Sequence, residues 1–121
     1  MHLAKILVVD DEKEICDITR EFLQKKHYSC FCAYSAHEAM ELVKKEHPQA
    51  VLLDIRLGDV SGLDILPKIK KFDQKIKVIM VTGLGDDQTI NDAKSKGADD
   101  FLIKPFTATF LSELLAKKLS S

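Results

Sequence analysis

Five polar residues stand where short apolar runs stop: Asp10 and Asp11 after "ILVV", Asp54 after "AVLL", Thr82 after "VIMV" and Lys104 after "DFLI". If those runs are strands ending on one edge, three carboxylates gather there. At about 4 Å and an effective dielectric near 20, each like-charged pair repels by roughly 4 kcal/mol, comparable to much of a domain's net stability. Lys104 brings one positive charge against three negative ones, and a divalent cation brings the sum to zero. Hard oxygen donors with room for water suit Mg²⁺ rather than zinc, with Mn²⁺ able to substitute. A carboxylate held beside such an ion and an ammonium can also attack phosphorus, giving an aspartyl phosphate. The Thr82 hydroxyl can hydrogen-bond a phosphoryl oxygen. Singly these signals are weak, because an Asp-Asp pair commonly starts a helix, a strand-end Thr is commonly structural and a lone Lys is commonly solvated. Their joint order along the chain is what defines a candidate site.

The elements that must position these groups are legible as well. Apolar runs recur near residues 6, 29, 51, 78 and 101, each too short for a helix and each followed by a segment of helical period. This predicts repeated strand-helix units. Runs that are apolar on both faces suit a parallel sheet covered on each side, and right-handed crossovers put helices on both faces. The strand C-termini then share one edge, where such folds place their sites at the reversal of strand order, between strands one and three.

Capping boxes are expected at Asp11 with Glu14 and at Ser35 with Glu38. The stripes Ile15, Ile18, Phe22, Leu23 and Ala36, Ala39, Met40, Val43 should face the core. Thr107 should cap a last helix with Phe110, Leu111, Leu114 and Leu115 inward. Pro67 predicts a third helix that begins late or bends. The fourth, "DDQTINDAKSKG", offers only Ile90 and Ala93 to the core and should stop at Gly97, loosely held.

The chain's 121 residues fit one domain, residues 1–121. Eighteen Lys and Arg against nineteen Asp and Glu leave a net charge of −1, with no electrostatic footprint for direct nucleic-acid binding. Apolar runs fall far short of the roughly 20 residues that span a bilayer, and the N-terminus lacks a signal-peptide layout, so the chain reads as cytoplasmic with no membrane role. Cys16, Cys30 and Cys32 have no metal-ligand spacing and read as small buried side chains, the last two on one strand face. His2, His27, His37 and His47 read as solvated.

On the segments "ILVVDDE", "VLLDIRLGDVSGLD", "VIMVTG" and "KGADDFLIKPF" and the closing amphipathic helix, the whole chain resembles the receiver domains of two-component response regulators, and is chemotaxis-receiver-like. The resemblance implies a flavodoxin-like doubly wound (βα)5 sandwich, a five-stranded parallel sheet of order 2-1-3-4-5. It implies phosphorelay signalling: Asp54 as phosphoacceptor from a histidine kinase or phosphotransfer protein, and no turnover enzyme. Asp11, Asp54 and the backbone carbonyl of Arg56 would ligate Mg²⁺, with Asp10 acting largely through water. Lys104 would contact the phosphoryl group and precede a cis peptide at Pro105.

Thr82 and Phe101 would be a switch pair acting on the face of the fourth helix, fifth strand and last helix, where a target or output domain binds. Phosphorylation adds an acceptor of about two negative charges that can draw the Thr82 hydroxyl inward and let Phe101 rotate in, a population shift. Arg56 and Leu84 occupy positions that tune dephosphorylation in the family, and apolar Leu84 implies slow self-hydrolysis. Where family members commonly have Pro and Asp, this chain has Gly58 and Ser61, implying an altered loop with the chemistry retained. The chain would be free-standing or the N-terminal part of a longer regulator, monomeric or dimerising on phosphorylation.

Three other readings fit less well. A small aspartate-dependent phosphatase would place a second Asp where Arg56 stands. A phosphorylation-independent receiver-like module usually lacks one member of the constellation. A flavin carrier needs a phosphate-cradling turn after strand one.

Overall fold

The apolar runs become strands because the polypeptide covers both of their faces. In the computed structural model, which describes residues 4–58, 60–83 and 85–120, the order is β1 (Lys5–Val9), α1 (Lys13–Lys25), β2 (Ser29–Ala33), α2 (Ala36–Glu46), β3 (Ala50–Asp54), β4 (Arg56–Leu57), β5 (Val60–Ser61), α3 (Gly62–Phe72), β6 (Lys77–Thr82), α4 (Asp87–Ser95), β7 (Asp100–Ile103) and α5 (Ala108–Leu119). The five longer strands pair in parallel in the order β2-β1-β3-β6-β7, the flavodoxin-like order expected, while β4 and β5 make a small antiparallel hairpin.

Strand alternation divides the interior into two cores. Leu7, Val9, Val51, Leu53, Val78 and Met80 point to the side of α2 and α3, against Ala39, Val43, Ile65, Leu66 and Ile69. Ile6, Val8, Leu52, Ile79, Val81 and Leu102 point the other way, against Cys16 and Leu23 of α1 and Leu111 and Leu115 of α5. Helix α4 buries one residue, Ala93, with Ile90 half-buried, and Gly97 follows its last turn at φ +105°. That is the weak anchoring its sequence predicts.

Several local expectations need correction. The Asp11–Glu14 capping box does not form: α1 starts at Lys13, its N-cap Glu12 makes no side-chain cap, and the Asp11 carboxylate accepts instead from the Gly58 N–H. Ile18 is 68% exposed and Phe110 52%, because Cys16 with Leu23 and Leu111 with Leu115 carry the inner faces. Helix α3 begins at Gly62 rather than late, and Pro67 sits inside it on the exposed side, where water can serve the carbonyl that loses its donor. At Ser35 the hydroxyl accepts from Glu38 N as predicted, but the Glu38 carboxylate takes the N–H of Tyr34, one residue earlier than a capping box requires. Thr107 caps α5 through Phe110 N at 3.0 Å.

Candidate functional site

Parallel register brings the chemical groups to one edge. Asp54 closes β3 opposite Val81, Thr82 closes β6 opposite Ile103, and the N–H of Lys104 donates to the Thr82 carbonyl at 2.8 Å. Asp10 follows β1, its N–H donating to the Ala33 carbonyl at 3.1 Å. Asp10, Asp54 and Thr82 are buried, whereas Asp11 and Glu12 are exposed.

Backbone donors fix the carboxylates. Asp10 Oδ1 accepts from Glu12 N at 2.9 Å, Asp54 Oδ1 from Arg56 N at 3.0 Å, and Asp11 Oδ2 from Gly58 N at 3.0 Å. The Lys104 ammonium lies 2.9 Å from Asp54 Oδ2 and 3.6 Å from Asp10 Oδ2, and the Lys104–Pro105 peptide is cis. Burial, followed by the nearby Asp54 charge, holds the Asp10 carboxyl above its ordinary value against the pull of the Glu12 N–H and Lys104. Burial by itself would lower the Lys104 ammonium, but its hydrogen bond to Asp54 and the charges of Asp54 and Asp10 raise it overall.

Gly62 determines where the Asp54 backbone sits. Its N–H donates to the Ile55 carbonyl at 2.6 Å, and a Cβ added there would overlap the Asp54 carbonyl oxygen. Only a residue without a side chain fits. Gly58 is also explained: its φ of +64° and its N–H to Asp11 are both denied to a proline. Ser61 caps α3 by accepting from Leu63 N at 3.1 Å, a task for which Asp is equally suited.

A cavity of about 550 Å³ opens over the site, lined by Asp11, Glu12, Asp54, Arg56, Thr82 and Lys104 among others. Carboxylate oxygens of Asp10, Asp11 and Glu12 lie within 4.8 Å of one another. Glu12 is a member the sequence reading omitted, although its signal was the third acid of "DDE". A donor set made wholly of hard oxygens, facing one lysine and an open cavity, fits a Mg²⁺-sized cation that keeps part of its water. Phe101 is half-buried, opposite Met80 and packed against the α2–α3 core, and it borders a groove with Ile103, Pro105, Phe106 and Phe110. Leu84 lies outside the described residues.

Residues 6–116 match the response regulator receiver domain family. The chain belongs to that family. This receiver domain is 35% identical over 115 residues to sporulation initiation phosphotransferase F of Bacillus subtilis, covering 95% of this chain and 93% of that protein. A CheY-like receiver domain protein from Methanospirillum hungatei superposes with a TM-score of 0.93 at 33% identity, covering 98% of this chain and 94% of the other. NtrX from Brucella abortus gives 0.90 at 35% identity over 97% of this chain, which spans 27% of that longer protein. The receiver domain is therefore a phosphorelay signalling module of two-component systems, a family that binds Mg²⁺ at an acidic pocket and works with histidine kinases or phosphotransfer partners. Among the described residues no helix is long and apolar enough to cross a membrane.

Proposed function

We propose that this receiver domain takes a phosphoryl group on Asp54 from the phosphohistidine of a histidine kinase or phosphotransfer protein. An Asp54 carboxylate oxygen attacks phosphorus as the bond to the histidine nitrogen breaks. Lys104 balances charge on the transferring group, and the Thr82 hydroxyl meets it afterwards. Asp11, Asp54 and the Arg56 carbonyl would hold Mg²⁺, with Asp10 acting through water; the bound ion supplies charge neutralisation at the phosphoryl oxygens. What carries the reading is the 2.9 Å contact of Lys104 with Asp54, next to Asp10 at 3.6 Å, with Asp11 and Glu12 lining the same cavity as the pair. One lysine among that many acids is a poor structural pair and a good phosphoryl cradle.

The product is a switched state and not a released substrate. Thr82 drawn toward the phosphate and Phe101 turned inward would shift α4, which rests on the sheet through Ala93, and so alter the face of α4, β7 and α5 offered to a target or output domain. Residues 1–121 would act as one cytoplasmic receiver unit. Apolar Leu84, unable to orient water, gives slow self-hydrolysis; a phosphoryl half-life of seconds would contradict this. Intact-mass spectrometry after incubation with acetyl phosphate and Mg²⁺ tests the assignment. One phosphoryl group is expected on the parent and none on Asp54→Asn, and a retained gain in the variant refutes it.

A further inference from the structure

On the α1–α5 side of the sheet, beneath the acidic cluster, two thiols meet. Cys16 of α1 is fully buried, its Sγ 3.6 Å from the carbonyl oxygens of Val8 and Asp10 and 3.9 Å from that of Ala33. In the β1–β2 ladder Val8 is the partner of Cys32. The sulfur of Cys16 thus hangs over the part of the sheet from which the Cys32 side chain rises toward α1, and the two thiols share a hydrogen bond.

Their surroundings divide the roles. Cys32 is only half-buried, and its thiol is held below the ordinary value, first by the hydrogen bond with Cys16 and also by the Arg20 guanidinium. Exposure sets the order: the Cys32 thiol is reachable from solvent and that of Cys16 is enclosed beside it, the arrangement of an attacking and a resolving cysteine. Cys30 does not compete. Side chains two apart on a strand stand parallel on one face with their Cβ atoms roughly 6.6 Å from each other, well beyond the roughly 3.5–4.5 Å that a disulfide spans, and burial pushes the Cys30 thiol up to about 12.

We infer that Cys16 and Cys32 form a reversible dithiol–disulfide site, closed by a peroxide, that couples oxidation to the loop carrying Asp10 and Asp11. The Cys32 thiolate attacks one peroxide oxygen, the O–O bond breaks, and hydroxide leaves to give a sulfenic acid. The Cys16 sulfur then attacks the Cys32 sulfur and water departs, so two thiols are oxidised as one peroxide becomes two waters. In the disulfide Cys16 no longer has an S–H to offer the Asp10 carbonyl, and α1 is tied to β2. The β1–α1 loop loses a contact from below, which weakens cation binding above it. Transient disulfides of this kind are the sort found in reducing compartments.

The test treats the full chain with hydrogen peroxide, blocks free thiols and measures intact mass and tryptic peptides. A loss of about 2 Da, reversed by dithiothreitol and linking the peptide of Cys16 to that of Cys32, is expected. Because Cys30 and Cys32 share one tryptic peptide, the map is repeated on Cys30→Ser, which should retain the linkage, and on Cys32→Ser, which should lose it. A linkage through Cys30, an intermolecular product or no linkage overturns the site.

Calorimetric Mg²⁺ titration of the two redox forms should show about tenfold weaker binding when oxidised; equal affinities overturn the coupling. This second readout rests on the proposed metal role of Asp11 and Asp54. If the reduced chain binds no Mg²⁺, that role and the coupling both fail, while the peptide map alone decides the thiol pair.

Discussion

Two lysine–aspartate pairs sit at opposite ends of the sheet, and their differences separate structure from function. At the lower end the Lys70 ammonium meets Asp99 Oδ2 at 2.5 Å and donates to the Ile76 carbonyl at 2.6 Å, while Asp99 also accepts from Val78 N at 2.8 Å. One cation faces one anion, and backbone groups complete both. At the upper end Lys104 lies 2.9 Å from Asp54 but also 3.6 Å from Asp10, with Asp11 and Glu12 across the cavity. The lower pair is neutral and closed, a strut between α3 and the start of β7. The upper pair carries surplus negative charge and opens to solvent. A buried ion pair is a functional candidate when its charges do not balance.

Opposite responses in the two regions would sharpen this contrast, and matching ones would break it. The largest expected effect is in Lys104→Met: phosphorylation by acetyl phosphate should slow by about 10²–10³-fold, the usual result of removing one donor to transferring charge, while urea stability compared in saturating Mg²⁺ should change little, the ion then taking over the neutralisation of buried Asp54 and Asp10. Lys70→Met should do the reverse. It leaves Asp99 partly buried without its partner, so unfolding free energy should fall by roughly 2–3 kcal/mol, below the full cost of breaking a buried pair because both side chains keep some solvent contact, while the phosphorylation rate of the folded protein stays near parent. Loss of rate in Lys70→Met at full stability would erase the distinction.

Gly62→Ala should act on both quantities. Its methyl must displace the Asp54 carbonyl, destabilising by about 1–3 kcal/mol and also slowing phosphorylation of the fraction that remains folded. A purely structural effect would spare that rate.

The smallest change is a gain. The Asp10 carboxyl is raised in the fold, so the folded state holds its proton more tightly than the unfolded chain does. Its contribution is fully present below the ordinary value of 3.8 and is lost as pH rises through the raised value. Without Mg²⁺ at neutral pH, Asp10→Asn should therefore stabilise the fold by about 1 kcal/mol, a few degrees in Tm, and the gain should vanish at low pH. Thermal melts in chelator across pH would expose a constant or opposite difference.

Much of this was legible in the sequence, for identifiable reasons. Doubly apolar runs such as "ILVV" and "VIMV" can be satisfied only by a covered parallel sheet, so the strands followed from period alone, and with them the shared edge that gathers Asp10, Asp54, Thr82 and Lys104. Failures came where tertiary partners outbid local ones. Asp11 has the spacing of a helix cap, yet the hairpin offers it the Gly58 N–H. Ile18 and Phe110 satisfy a helical stripe, but each stripe is wider than the contact its helix makes with the sheet. Gly62 carried no readable signal at all, since what it accommodates is the carbonyl of a residue on another element. Glu12 was overlooked because two acids already answered the electrostatic question.

The hydrogen bond from Gly58 to Asp11 closes a ring through peptide groups. From the Asp54 Cα the main chain runs four residues to Gly58, crosses to the Asp11 side chain and returns through β1, which is laddered to β3. The gap between carboxylates borne by separate strands is thereby gauged by backbone of nearly invariant dimensions. Repacking the hydrophobic layers beneath could soften the molecule and still leave that gap unaltered, whereas lengthening the hairpin by one residue would change it.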